Sequence, residues 1–168
     1  MEKTINSKFF LIFAVLAAAV IFAVGINRNK LYQAEIKILI LPKTEIAARS
    51  LEQIVENAKE IPNALSFYDK LVEYNPTINQ GISGLPDNER RSAWKSKIEI
   101  RRIGKSGIIS ISAFNIDQVQ AEEIATKVAT DLQTVMGKLY DSEINLDIRV
   151  VDGPIIYFVS KTNLMNWI

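Results

Sequence analysis

An uncharged, apolar run from Phe9 to Ile26 is the feature that most constrains what this chain can fold into. Eighteen residues rise about 27 Å as an α-helix, close to the roughly 30 Å hydrocarbon core of a bilayer. The run therefore predicts one transmembrane helix at residues 9–27, preceded by a cytoplasmic N-terminus at residues 1–8. A cleavable signal peptide is the alternative, because Lys3 and Lys8 form a basic start ahead of the apolar run. Both interpretations export the rest of the chain.

The composition removes several function classes. The chain has no Cys and no His, so it lacks thiolate nucleophiles, disulfides, the usual structural zinc sites and the commonest general base. Lys and Arg total 20 against 19 for Asp and Glu, and their scatter leaves no electrostatic footprint for nucleic acid. We therefore predict that the protein is not an enzyme and has no catalytic, cofactor-binding or metal-binding residues, no cofactor and no nucleic-acid partner.

Four segments show the patterns of β-strands. Apolar and polar residues alternate from Tyr32 to Ile40, which is the period of a strand with one buried face. Residues 97–103 and 108–113 flank a Gly-rich turn and predict a hairpin. Alternation returns at residues 144–150, where Asp152-Gly153-Pro154 is expected to end a fourth strand.

Helical spacing separates the first strand from the hairpin. Ser50 and Gln53 resemble a capping box for a helix at residues 51–60. A second helical stripe starts at Leu65 and continues up to Asn75-Pro76. Residues 76–88 are rich in Asn, Gly and Pro, and are expected to form an exposed loop.

A longer helix is predicted after the hairpin. Asp117 is expected to cap it, with Gln120 reaching back, and the helix should run to about Tyr140. Its apolar stripe is expected to pack against the sheet, and the alternative is that the stripe binds a neighbouring subunit. The stripe consists of Ala121, Ala125, Val128, Leu132, Val135 and Leu139.

The order of these elements predicts an α+β fold, a ferredoxin-like βαββαβ two-layer sandwich preceded by one transmembrane helix. The extracytoplasmic domain should span residues 31–154. In this topology the first and last strands are antiparallel neighbours, so the chain returns towards the membrane. Residues 155–168, which include an interfacial Trp167, are expected to lead into a second transmembrane helix in a longer natural chain.

Five basic residues are candidates for binding an anionic glycan or a phosphate-bearing lipid carrier, because Arg forms bidentate hydrogen bonds with such groups. The alternative is a solvated rim, since Glu89 and Glu99 interleave with them and an exposed strand needs charge. The candidates are Arg90, Arg91, Lys95, Arg101 and Arg102.

Several segments together resemble the N-terminal domain of Wzz-type chain-length determinants, also called polysaccharide co-polymerases. The resemblance rests on the apolar run and on residues 32–42, Trp94, residues 107–113, Asp117, Gln120-Ala121 and Ile124-Ala125. The chain lacks the long helical extension of many O-antigen regulators and so is similar to the short capsule or exopolysaccharide type.

This resemblance implies a protein of the bacterial plasma membrane, with most of its chain extracytoplasmic, that assembles as a homo-oligomeric ring. It implies a role in setting the chain length of O-antigen, capsule or exopolysaccharide, with a polysaccharide polymerase and a lipid-linked glycan as partners. Control by a cytoplasmic tyrosine kinase would come from a separate protein or a C-terminal part. The alternative is an extracytoplasmic sensor or ligand-binding module of a membrane signalling protein, because a fold does not fix a function.

Overall fold

The computed structural model describes residues 12–18, 30–140 and 145–160. The chain divides into two compact units, of which one is Tyr32–Phe158 and the other combines Met1–Leu31 with Val159–Ile168. In the second unit, residues 12–18 form a helix with mostly exposed side chains. The first unit contains the sheet and its helices.

The membrane part of the predicted fold class is corrected by the structure. Among the residues it describes, no helix is both long and apolar enough to cross a membrane. Within the predicted span at residues 9–27, the structure describes residues 12–18, which are helical. The remainder of that span and the predicted N-terminus at residues 1–8 lie outside the described residues.

The described domain is α+β, with one four-stranded antiparallel sheet. The strand order is β2-β3-β1-β4, which places the first and third strands at the centre. The strands are β1 (Lys30–Pro42), β2 (Ile98–Arg102), β3 (Ile108–Asn115) and β4 (Leu146–Ser160).

Alternation fixes which face of the sheet is buried. On β1 the even-numbered residues from Ala34 to Ile40 are buried, as the sequence predicts. Ile36 lies opposite Ile111 of β3, and Ile111 in turn lies opposite Ile100 of β2. These β-branched pairs form the sheet side of the core and hold the register, because a shift of one residue would expose all of them.

Five helices accompany the sheet in the described part of the domain. Two of them were not predicted: a short helix before residue 51, and a helix directly ahead of β2. The helices are α1 (Glu45–Arg49), α2 (Leu51–Glu60), α3 (Leu65–Tyr74), α4 (Asp87–Lys95) and α5 (Gln118–Tyr140).

The cap of the first helical segment differs from the prediction. Thr44 accepts the backbone N–H of Ala47 at 3.1 Å and caps α1. Ser50 makes no side-chain cap bond to α2, so the predicted capping box with Gln53 is wrong. The physical reason is that α1 ends at Ser50, whose backbone N–H donates to Ile46 O.

Helix α5 begins as predicted, with a different partner for the capping residue. Asp117 Oδ1 accepts the backbone N–H groups of Val119 at 2.8 Å and Gln120 at 3.2 Å. The Asp117 N–H donates to Asn115 Oδ1 at 3.0 Å, so Gln120 does not serve as its acceptor. The Gln120 side chain instead accepts from Asn115 Nδ2.

The stripe of α5 packs mainly inside the domain. Its residues from Ala121 to Leu132 are buried in the same core as Ile109 and Ile111. Leu139, at the end of the stripe, is exposed. The stripe therefore packs against its own sheet over most of its length.

The segment at residues 76–88 is not the exposed loop that the sequence predicts. It contains the 3₁₀ turns Pro76–Ile78 and Ile82–Gly84, and Ile78 and Ile82 are buried. Two apolar anchors hold this irregular segment against the core, because their burial offsets the entropy of ordering it.

Strand β4 continues beyond its predicted end. It passes through Gly153-Pro154 and reaches Ser160, which the sheet edge permits because Pro lacks only an N–H there. Residues 155–160 of the predicted return segment therefore belong to β4. Residues 161–168, where a second transmembrane helix was expected to begin, lie outside the described residues, as does residue 144.

Candidate functional site

The five basic candidates occupy two different elements. Arg90, Arg91 and Lys95 lie on α4, whereas Arg101 and Arg102 lie on β2. Arg90 pairs with Asp69 of α3 at 3.2 Å and with Asp87 at 3.5 Å. Because its side chain is only 18% exposed, Arg90 mainly joins α4 to α3.

The two strand arginines have different environments. Arg102 donates from Nε to Ser106 O at 2.8 Å and from Nη2 to Lys105 O at 2.9 Å, and so holds the hairpin turn. Arg101 is 58% exposed, and its Nε lies 3.3 Å from Glu99 Oε1. Arg91 and Lys95 are exposed on α4. Glycan binding by this set stays a prediction, and Arg101 is its member on the sheet surface described next.

The sheet face opposite the buried isoleucines carries a band of polar side chains, which we call the open face. Its residues alternate with the core residues along the three strands, because successive side chains of a strand point to opposite faces. The open face consists of Gln33, Glu35 and Lys37 of β1, Glu99 and Arg101 of β2, and Ser110 and Ser112 of β3.

Strand register sorts this face by charge. Ser112 lies between Glu35 and Glu99, which makes an acidic row across three strands. The next row, two residues along, places Ser110 between Lys37 and Arg101 and is basic. The two rows are separated by roughly 7 Å, two residues of a strand. A serine thus lies at the centre of each row, between longer charged side chains.

Both serines of the open face are hydrogen-bonded, and both are buried. Ser110 Oγ donates to Glu35 Oε1 at 2.7 Å, across the two rows. Gln33 Nε2 donates to Ser112 Oγ at 2.9 Å. Both serines are buried although they lie on the open face, because the long side chains of β1 and β2 flank them. The face is therefore ordered before any ligand arrives.

An ion pair extends the basic row to the fourth strand. Lys37 Nζ lies 2.8 Å from Asp152 Oδ2 on β4. The hydrogen bond with Asp152 raises the pKa of Lys37, and the same bond lowers the pKa of Asp152. Both groups are consequently charged over the physiological pH range, and the face presents fixed donors and acceptors.

This chemistry suits recognition of polar ligands. Carboxylates accept hydrogen bonds, guanidinium and ammonium groups donate them, and hydroxyl and amide groups do both. The open face as a unit is not among the predictions from the sequence, although the alternation of Gln33, Glu35 and Lys37 indicates its β1 part. The signal for its rows lay in the pairing of β1, β2 and β3, which alternation does not supply.

The fold and the open face define a class: an α+β domain with a helix-packed apolar sheet face and a charge-sorted polar one. The chain matches no model of a known protein family, and it matches no curated protein. The residues and their arrangement are therefore what indicates a function.

Proposed function

We propose that this protein is a non-catalytic regulator of bacterial surface polysaccharide biosynthesis. In this proposal it acts at the plasma membrane with its sheet domain extracytoplasmic, and sets the chain length of O-antigen, capsule or exopolysaccharide. It would do so as a homo-oligomeric scaffold for the polymerase and the lipid-linked glycan.

One observation carries the proposal: the segments after the apolar run that resemble Wzz-type chain-length determinants contribute to one common core of the domain. Residues 32–42 lie in β1 and residues 108–113 lie in β3, and these two strands pair along Tyr32 to Leu39. Asp117 caps the helix that follows β3, and Ala121 and Ala125 of that helix are fully buried. The resemblance thus concerns one packed unit rather than separate short motifs.

Gly107 gives this unit a physical constraint. The backbone N–H of Ile40 donates to Gly107 O at 2.9 Å, which brings the two backbones together. A Cβ at residue 107 would overlap the carbonyl oxygen of Ile40. Glycine at residue 107, the first residue of segment 107–113, is therefore required by the close approach of the two backbones.

The open face supplies a contact surface for the glycan in this proposal. Sugar hydroxyls both donate and accept, so the acidic and basic rows can bind successive hydroxyls of one chain. Arg101 offers a planar guanidinium to a carboxylate or phosphate group on the glycan or its carrier. Such contacts hold a polymer without breaking a bond.

In an oligomer, these weak contacts make the retention of a glycan depend on its chain length. A growing glycan that reaches a second subunit binds it at high effective concentration, so retention increases with each subunit reached. The gain stops when the polymer has engaged all available faces. A preferred polymer length follows from the number and spacing of the faces.

The test is a gel profile of surface and secreted polysaccharide from the source organism. Deletion of the gene should remove a preferred chain length, and the full-length gene should restore it. The double variant Glu99→Gln and Arg101→Gln should restore it poorly, whereas the control Lys138→Gln, at an exposed position of α5, should restore it fully. A profile unchanged by deletion would contradict the proposal and favour the sensor module.

A further inference from the structure

Exposed apolar side chains gather at one end of the sheet domain. Ile116 is 68% exposed, Val119 71% and Phe158 62%. Ile116 lies in the β3–α5 connection, Val119 in the first turn of α5, and Phe158 near the end of β4. We call Ile116, Val119 and Phe158, with Tyr32, the apolar end.

Strand pairing brings these residues to the same end. Tyr32 lies opposite Asn115, the residue before Ile116. On its other side Tyr32 contacts Phe158, with ring centroids 5.9 Å apart in an edge-to-face arrangement. Because β1 lies between β3 and β4, the end of β4 and the start of α5 lie about two strand spacings apart, roughly 10 Å.

Exposure of these apolar side chains to water is unfavourable. Single exposed apolar residues are ordinary, whereas several at one end of a domain indicate an interaction surface. Ile116 directly precedes the capping residue Asp117, and Val119 follows it by two residues. The apolar end therefore needs a partner that the described residues do not provide.

The sequence indicates which partner is within reach. The uncharged run from Phe9 to Ile26 is separated from Tyr32 by residues 27–31 only. Five extended residues span roughly 17 Å. A long apolar run avoids water, and a lipid bilayer is a non-aqueous medium that such a run favours. Tyrosine rings such as that of Tyr32 are also enriched at the boundary between lipid and water.

We propose that the apolar end binds the interfacial region of a phospholipid bilayer. Ile116 and Val119 enter the boundary between headgroups and acyl chains, and Tyr32 and Phe158 lie at headgroup level. Contacts of this kind reach about 5–10 Å into the bilayer. The contact fixes how the sheet is oriented over the lipid surface. It is independent of the polysaccharide role.

The absence of Cys from the chain permits a site-specific test. Ile116→Cys and Val119→Cys place a label at the apolar end. Ile46→Cys and Leu139→Cys are the controls, since these residues are 64% and 61% exposed. Ile46 follows the far end of β1, and Leu139 lies about 30 Å along α5 from Val119.

Each single-Cys full-length chain is labelled with the environment-sensitive dye NBD and reconstituted into vesicles of phosphatidylethanolamine and phosphatidylglycerol. A matched set of vesicles carries nitroxide groups at the top of the acyl chains. We expect the nitroxide to quench the labels at 116 and 119 about twofold or more relative to those at 46 and 139, with a blue shift at 116 and 119 only.

Two results would overturn the inference. Equal quenching at all four sites would mean that the apolar end has no special relation to lipid. A blue shift at 116 and 119 without nitroxide quenching would mean that protein covers this end. Far-ultraviolet circular dichroism of each labelled chain verifies the fold, and the exposed side chains make loss of folding an unexpected outcome.

Discussion

The indole N–H of Trp94 donates to the carbonyl oxygen of Pro62 at 2.7 Å inside the core. Trp94 is fully buried, and its ring lies 5.0 Å from that of Tyr68. Pro62 belongs to the 3₁₀ turn between α2 and α3, so this bond connects α4 to the other helices. A buried indole is stable here because its one donor is satisfied.

Trp94→Phe should destabilise the domain by about 2–4 kcal/mol, because it removes ring volume from the core and leaves a buried carbonyl without its donor. Urea unfolding followed by far-ultraviolet circular dichroism measures the change. Tyr74→Phe is the control, since Tyr74 is exposed, and should change the free energy of unfolding by less than about 0.5 kcal/mol. A similar small change for Trp94→Phe would contradict the assigned role.

Gly153→Ala and Gly137→Ala should have opposite effects. Gly153 has φ +95°, and an added Cβ would overlap Glu35 O and lie 3.0 Å from Ile36 Cα. Ala should therefore destabilise the domain by about 2–4 kcal/mol. At Gly137 of α5 an added Cβ meets nothing within 4 Å, and Ala should stabilise by about 0.5–1 kcal/mol. Equal signs in thermal unfolding would refute this account of the β1–β4 contact.

Asp117→Ala should destabilise the domain by about 1 kcal/mol, since two N–H groups of α5 lose their acceptor. Asp117→Asn is the matched control, because Asn is an equally good N-cap but carries no charge. It should retain most of the stability in urea unfolding. A loss as large as that of the Ala variant would assign the effect to charge rather than to the hydrogen bonds.

Asp131→Asn should stabilise the domain at neutral pH. Burial on α5 raises the pKa of Asp131, against smaller opposing effects of Lys127 and Lys70. The folded state therefore binds the proton more tightly than the unfolded state, and the ionised carboxyl reduces stability as pH rises above its ordinary pKa near ~4. The advantage of the Asn variant should disappear below that pH. Unfolding midpoints across a pH series measure the difference.

Asp152→Asn should change the stability in the opposite direction in the same pH series. The hydrogen bond from Lys37 lowers the pKa of Asp152, so this carboxyl stabilises the fold above its unfolded pKa. That contribution is lost as pH falls through the lower folded pKa. The Asn variant should therefore be less stable than the parent at neutral pH and equal to it in strong acid. A stabilising effect at neutral pH would count against the pair with Lys37.

Alternation and helical spacing predicted the elements with many buried residues. Four buried residues of β1 recur at every second position, and α5 repeats its buried residues over most of 23 residues. Helix α4 could not be found this way. Its one buried residue is Trp94, and a single apolar side chain defines no period.

The open face shows a different limit. The sequence indicates that Glu35 and Lys37 point away from the core, but not which residues of β2 and β3 lie beside them. That information depends on register, which the hairpin turn and the close contact of Gly107 with Ile40 set in three dimensions. The five basic candidates are close in sequence, whereas strand pairing groups Arg101 with Lys37 and Ser110.

Strand β4 is 15 residues long and is the last strand of the described sheet, next to β1 alone. Val150 and Val151 are exposed on it. The unpaired backbone groups of such a strand are a template for another strand, and Pro154 removes only one N–H from that template. A fifth strand of matching length could therefore pair with β4 and widen the sheet without disturbing its core. The purified domain should accordingly be most prone to aggregate by strand addition at the β4 edge.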